Sequence, residues 1–161
     1  MYLQSKSLKT YSGNKQSVLT LQDLAYHILG VAKQYNIFVT NLQLQKVLYF
    51  TFKYCLKKKL FTRKQLKSLY VEPFQVWAYG AVIQSLYEKH KIYGSYPITE
   101  EHILNPNLIK LNSIIYYLLR QDPFSLVRKS QSEYFWQRNK AKLEGWRSDI
   151  SYSLFNIKYG C

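Results

Sequence analysis

Hydrophobic residues recur with helical spacing along much of the chain, and polar capping motifs precede the first three of these runs. Thr20, Thr40 and Thr62 each stand just before an apolar run, and the residue three positions further on is Asp or Gln in every case. Such a pair satisfies backbone amides that the first turn of a helix leaves unpaired. The apolar spacing within the runs fits one face of a helix. The pattern predicts helices over residues 20–35 and 40–58 and a short helix that begins at Thr62.

The pattern changes in the middle of the chain. Residues 71–77 combine Val, Phe and Trp with a proline, which predicts an extended segment, and Gly80 interrupts the pattern. Helical spacing resumes over 81–91. The aromatic segment 93–98 predicts a short strand or loop that can pair with 71–77.

Helical signals also dominate the last third of the chain. They predict a helix over 108–120, one that begins at Asp122-Pro123, one opened by Ser130-Gln-Ser-Glu133, and a last one at about 147–158. The fold class expected is therefore mainly α: a single compact multi-helix domain with a minor β element around residues 71–77 and 93–98. This domain is expected over residues 19–161, preceded by a polar, basic arm over residues 1–18.

Composition narrows the class of protein. The apolar fraction of 47% is typical of a globular domain, and no apolar run approaches the roughly 20 residues of a membrane span. Residues 1–7 have no apolar core of a secretory signal, so we expect a cytoplasmic protein that does not act at a membrane. Cys55 and Cys161, the only cysteines, are expected to be free thiols. The net charge of +14 favours an anionic partner.

The sequence offers little catalytic or metal-binding chemistry. It has nine carboxylates and three histidines, and the histidines have neither a second histidine nor a cysteine at metal-ligand spacing. Glycine-rich phosphate loops and nucleophile elbows are also missing from the sequence. We therefore expect a binding protein with no cofactor and no metal, and not an enzyme.

Three segments resemble, in order and spacing, the landmarks of the Panacea antitoxin domain family, whose members are SocA/GepA-like. They are Thr40–Tyr49 (TNLQLQKVLY), Phe74–Val82 (FQVWAYGAV) and Ser130–Trp136 (SQSEYFW), and residues 150–159 resemble the family's closing helix. Ala81 replaces the family's proline and Gln131 replaces its histidine. The resemblance implies a helical, non-enzymatic antitoxin that neutralises a cognate toxin by direct binding. In some members the domain instead acts as an adaptor that delivers the toxin to a protease.

The motif residues divide into two expected groups. Those expected to support the fold are Leu42, Leu44, Leu48, Tyr49, Trp77, Gly80, Val82 and Trp136. Those considered as partner-binding residues are Lys46, Lys57, Lys58, Lys59, Arg63, Lys64, Tyr79, Tyr87 and Tyr93. The basic residues among them form either a solvated helix corner or a patch that faces an anion. Lys46 either supports the core, with Glu72 as one possible carboxylate partner, or contacts a binding partner.

Two other functions remain open at this point. The helices at 20–35 and 40–58, joined by a short turn, would mimic a helix-turn-helix in a basic DNA-binding regulator. A phage-encoded inhibitor of a host protein would also fit a small basic binding protein. The expected antitoxin partner is a toxin with an acidic surface, because opposite charge steers association.

Overall fold

A computed structural model describes residues 18–161, and within them the mainly α prediction is confirmed. The eight α-helices are α1 Leu21–Gln34, α2 Asn41–Lys57, α3 Arg63–Leu69, α4 Gln84–His90, α5 Asn112–Leu119, α6 Pro123–Gln131, α7 Tyr134–Asn139 and α8 Leu154–Tyr159. The two strands are β1 Gln75–Trp77 and β2 Gly80–Val82, and 3-10 turns cover Lys91–Tyr93, Pro106–Leu111 and Lys140–Lys142. The predicted N-terminal arm lies outside the described residues apart from Val18.

The predicted capping motifs set the starts of the first three helices. At α1, the Thr20 hydroxyl accepts from the Asp23 amide at 3.2 Å, and the Asp23 carboxylate accepts from the Thr20 amide at 2.8 Å. Thr62 forms the equivalent reciprocal pair at α3. At α2 the Thr40 hydroxyl caps the helix, but the paired glutamine side chain donates to a backbone carbonyl of α5 instead. The local sequence therefore specifies all three helix starts.

Helix α2 forms the centre of the hydrophobic core. It packs against α1, α5, α6 and α8, and most of its 17 residues are buried. Its fully buried apolar side chains include Leu44, Val47 and Leu48. Burial of each contributes about 1.5–3 kcal/mol. The predicted core position Leu42 is an exception, because this side chain is only half-buried.

Strands β1 and β2 form an antiparallel hairpin, which corrects the predicted β element. Val76 pairs with Ala81, and residues 78–79 make the turn. Segment 93–98 does not join the sheet: it begins in a 3-10 turn and then follows an irregular path. The strand that pairs with β1 is β2 rather than segment 93–98 because of Gly80. Its φ of +104° lets the chain reverse immediately after Trp77. The residues that directly follow Gly80 are thus a strand, and the helix predicted from 81 begins only at Gln84.

The outer edge of β1 pairs with an extended segment, which corrects the predicted last helix at 147–158. The Val76 amide donates to Ile150 at 2.9 Å, and the Ala78 amide donates to Trp146 at 2.9 Å. Helix α8 begins only at Leu154, because Ser153 forms a capping box with Asn156. The residues before it are extended because they pair with β1.

The capping box predicted at Ser130 is also wrong. Ser130 lies in the last turn of α6, and its side chain is buried. Helix α7 instead begins after Glu133, which makes no side-chain cap bond. The predicted start at Asp122-Pro123 is confirmed, since the Asp122 carboxylate accepts from the amide of residue 124.

His27 and His102 hold one irregular segment, residues 99–105, to α1, and His90 on α4 lies next to the same segment. The His102 ring stacks on Tyr26 with centroids 4.1 Å apart, and its Nε2 lies 2.9 Å from the Glu100 carboxylate. The same carboxylate lies 3.6 Å from Nε2 of His90, which is fully buried on α4. Polar contacts therefore fix the path of this segment where regular secondary structure is missing.

The third histidine, His27, gives this attachment a pH dependence. His27 is fully buried on α1; its Nδ1 accepts from the Asn105 amide at 2.9 Å, and its Nε2 lies 2.7 Å from Asn112 Oδ1. Burial lowers the pKa of His27. Nδ1 accepts only while it carries no proton, so the folded protein requires the neutral ring.

We expect the stability of the protein to fall in mild acid because of His27. The unfolded chain takes up a proton near pH 6.5, whereas folded His27 resists it, so stability is full above that pH and falls below it. The loss is confined to the range between pH 6.5 and the lower pKa of folded His27, where it is at most about 1.4 kcal/mol per pH unit, and it is measured by urea denaturation. His27→Gln should show a flatter profile between pH 6.5 and 5. Identical profiles for the two proteins would refute the assignment.

Candidate partner-binding site at the β-hairpin

The hairpin is held to the helices by side chains that act on its backbone. On α2, Gln45 accepts from the Ile83 amide at 2.9 Å and donates to the Ile83 carbonyl at 3.2 Å. Lys46 donates to the Ala81 carbonyl at 2.6 Å, and Ser130 on α6 accepts from the Ala81 amide at 3.3 Å. These side chains pair the backbone groups that a third strand would otherwise satisfy.

Two more side chains hold the turn and β1. Gln131 donates to the Ala78 carbonyl at 2.9 Å, and the Trp136 indole donates to the Trp77 carbonyl at 2.9 Å. The three sequence segments that carry the family resemblance therefore meet at one place, around the hairpin. The two departures from the family pattern also lie here. Alanine at position 81 supplies an amide that proline lacks, and Gln131 bonds directly to the turn.

Lys46 lies beneath the hairpin with its side chain fully buried. Burial lowers its pKa to about 7, and the nearby Glu133 carboxylate opposes that shift only in part. Glu133 itself accepts from the Tyr49 hydroxyl at 2.6 Å and pairs with Lys53 at 2.8 Å. Lys46 thus supports the core, and the alternative of direct contact with a partner does not fit its burial.

Glu72, the carboxylate considered as a partner for Lys46, instead accepts hydrogen bonds from other residues. Glu72 accepts from the Ser85 amide at 2.9 Å and from the side chain of Gln22 at 3.4 Å. It therefore ties the start of α4 to α1. The buried ammonium has a backbone carbonyl as its hydrogen-bond acceptor, which is a weaker stabiliser of charge than a carboxylate.

The outward side of the hairpin forms an apolar pocket of about 370 Å³. Its aromatic walls are Trp77 from β1, Tyr87 from α4 and Trp146 from the segment that pairs with β1. The Trp77 ring centroid lies 5.0 Å from Tyr87 and 5.1 Å from Trp146, with both pairs edge-to-face. Such a concave aromatic surface is typical of ligand pockets and of the centres of protein interfaces.

Arg147 fixes the aromatic walls relative to one another. Its guanidinium carbon lies 4.5 Å from the centroid of Trp77, 4.2 Å from Trp146 and 5.4 Å from Tyr87. The same group pairs with Glu88 at 3.0 Å. The sequence did not indicate Trp146 or Arg147, because the last helix is predicted to begin at about Arg147 and Trp146 stands just before it.

The predicted partner-binding tyrosines separate into two places. Tyr79 and Tyr87 line the pocket together with Leu42 and Val82. Tyr79 stands at the turn with 57% of its surface exposed. Tyr93 lies outside the lining, and its ring faces His90 at 6.4 Å. The fold-supporting group is buried as predicted apart from Leu42: Leu44, Leu48, Tyr49, Trp77, Gly80, Val82 and Trp136.

The predicted basic residues lie in a separate corner of the molecule. Lys57, Lys58 and Lys59 end α2, and Arg63 and Lys64 begin α3; all five are exposed. They contribute nothing to the lining of the hairpin pocket. The two surfaces are thus distinct candidates for binding different partners.

The helix-turn-helix interpretation does not fit the burial of α2. A recognition helix must present one face to the major groove, but the middle of α2, from Gln43 to Phe52, is buried without interruption. Helix α2 is the centre of the core, and it cannot serve as a recognition helix that contacts DNA bases.

Within residues 18–161, no group of three or more His, Cys, Asp or Glu side chains is arranged to hold a metal ion. In the same part of the chain, every helix is too short or too polar to cross a bilayer.

Comparison with models of protein families, with curated proteins and with solved structures finds no match for this chain.

Proposed function

We propose that this protein is a cytoplasmic antitoxin that neutralises a cognate toxin by direct protein–protein binding, with the hairpin pocket at the centre of the interface. The observation that carries the proposal is the convergence of the three family-like segments on one hairpin. Their buried side chains fix the hairpin from below, and the aromatic pocket lies on its outer side. A site built in this way is rigid before the partner arrives, which lowers the entropic cost of binding.

The chemistry of the pocket rim supports a protein partner. Tyr79 and Trp146 are exposed beside apolar walls, and residues of these types dominate the energetics of protein interfaces. The rim also carries the cations Lys91 and Arg147, with Glu88 between them. Together with the net charge of +14, this favours a toxin with an acidic surface, whose approach would be steered by opposite charge.

We expect Tyr79→Ala to weaken toxin binding about tenfold or more, because it removes an exposed aromatic anchor from the rim. The toxin is sought as the product of the reading frame adjacent to this gene, and affinity is measured by calorimetry with purified proteins. Tyr117→Ala is the matched control: Tyr117 lies on α5 and is 60% exposed, close to the 57% of Tyr79.

Growth provides the functional readout. Co-expression of this protein should rescue cells from the neighbouring gene product, the Tyr117→Ala variant should rescue equally, and the Tyr79→Ala variant should rescue less. A harmless neighbour, or a toxic neighbour that never co-purifies with this protein, would overturn the antitoxin proposal. Equal affinities for the two variants would overturn the location of the interface. Inhibition of the toxin by this protein in a purified system without a protease separates direct neutralisation from delivery to a protease.

A further inference from the structure

A second groove, of about 300 Å³, lies at the basic corner between the end of α2, the start of α3 and α8. Its apolar wall includes Phe61, Phe155 and Tyr159, and its cations are Lys59 and Lys158. The groove therefore combines ring faces and positive charge within a few residues of one another. The hairpin pocket has no residue in common with it.

Within residues 18–161, the cations of this corner have no acidic partner. They are Lys57, Lys58, Lys59, Arg63, Lys64, Lys67, Lys110 and Lys158. Among residues 18–161, every ion pair involves cations other than these. Lys110 belongs to the cluster because its ammonium donates to the Leu60 carbonyl at 3.3 Å and lies 4.8 Å from the Phe61 ring. Uncompensated charge at this density attracts a polyanion.

The aromatic rings decide which polyanion fits best. Phe155 and Tyr159 are 60% and 57% exposed, and their centroids lie 4.9 Å apart on one face of α8. Exposed rings next to cations allow unpaired bases to stack while the cations contact phosphates. The bases of a duplex already stack on their neighbours, so a double helix would engage the cations alone. An acidic protein segment would likewise use the charge and gain little from the ring faces.

We propose that this groove binds single-stranded nucleic acid, with an unpaired base against Phe155 and Tyr159 and the phosphate backbone along Lys57–Lys59 and Arg63-Lys64. The site is independent of the hairpin pocket. A failure of either proposal thus leaves the other standing.

The test is fluorescence anisotropy with the full-length protein and a fluorescein-labelled 20-nucleotide oligo-dT at about 150 mM salt. A blunt 20-base-pair duplex is the first comparison. We expect the single strand to bind about tenfold more tightly than the duplex.

Phe155→Ala should weaken single-strand binding at least about fivefold, as expected for the loss of one stacking contact. Phe124→Ala is the matched control, since Phe124 is 58% exposed on α6, and it should leave affinity unchanged.

Two further measurements complete the test. The logarithm of the affinity falls linearly with the logarithm of the salt concentration, and the slope is proportional to the number of phosphates that the protein contacts. The double variant Lys59→Gln/Lys158→Gln should reduce this slope by the amount that corresponds to about two phosphate contacts. Circular dichroism checks that each variant is folded. Tyr159→Leu repeats the stacking test at a second position.

Equal binding of single strand and duplex would overturn the proposal. So would unchanged affinity in both aromatic variants, or displacement of oligo-dT by polyglutamate at equal charge concentration, which would indicate an acidic protein partner.

Discussion

Replacement of Gly80 by alanine is expected to destabilise the protein by about 3–5 kcal/mol, the largest single effect that we predict. A Cβ at this position would lie 2.4 Å from the Ser130 hydroxyl and 3.0 Å from the Lys46 ammonium, both of them buried. The φ of +104° adds backbone strain for any L-residue. The substitution would thus push apart the side chains that hold the hairpin to the helices.

Gly94→Ala is the matched control for this experiment. Gly94 also has a positive φ, +57°, but a Cβ there would meet no atom within 4 Å. It should therefore cost about 1–2 kcal/mol, from backbone strain alone. The free energies of unfolding are compared by urea denaturation at one pH. A Gly80→Ala variant within 1 kcal/mol of Gly94→Ala would contradict the packing described beneath the hairpin.

Lys46 is expected to make the stability of the protein rise with pH above neutrality. Its folded pKa of about 7 lies far below the value of 10.5 in the unfolded chain. Between these values the unfolded state holds the additional proton, so raising the pH favours the folded state. Between pH 7 and pH 9 the expected gain from this one lysine is about 2 kcal/mol.

Substitution of Lys46 by methionine isolates this effect. Methionine keeps an unbranched apolar stem but has no titratable group, so the gain between pH 7 and pH 9 should disappear. The difference between the two proteins is the quantity to measure, because it cancels other groups such as Cys55, whose pKa is raised to about 12 by burial. Parallel stability profiles for the wild type and Lys46→Met would show that Lys46 does not titrate as proposed.

The helices of the first half could be predicted because their signals are local. Thr20 and Thr62 bond to residues only three positions away, and those pairs start α1 and α3 in the sequence and in the structure alike. The start at Asp122 has the same explanation. A cap that uses neighbouring residues needs no knowledge of the tertiary fold.

The hairpin and the segment that pairs with it could not be predicted, because their determinants are distant in sequence. Ser130 is part of a convincing local capping box, yet its hydroxyl is used by Ala81, 49 residues away. Residues 147–153 have partial helical spacing, yet their backbone pairs with β1, more than 70 residues earlier. Tertiary pairing of this kind overrides weak local preference.

The candidate site was only partly visible in the sequence. Tyr79 and Tyr87 were expected at an interface from residue type, and both line the hairpin pocket. Trp146 and Arg147 complete the aromatic wall, but no local pattern marks them. Lys46 stands within the most family-like segment, and only its burial distinguishes structural support from partner contact. Charge and residue type thus favour a binding function, whereas the three-dimensional contacts define the surface proposed for it.

Hydrogen–deuterium exchange with and without the purified toxin tests the central proposal most directly. If the toxin occupies the hairpin pocket, backbone amides in residues 77–82, 87–94 and 144–147 should exchange more slowly in the complex, and the exposed face of α5 around Tyr117 should be unaffected. Protection confined to α5 and α6, or to the basic corner at 57–67, would contradict the hairpin as the toxin-binding site.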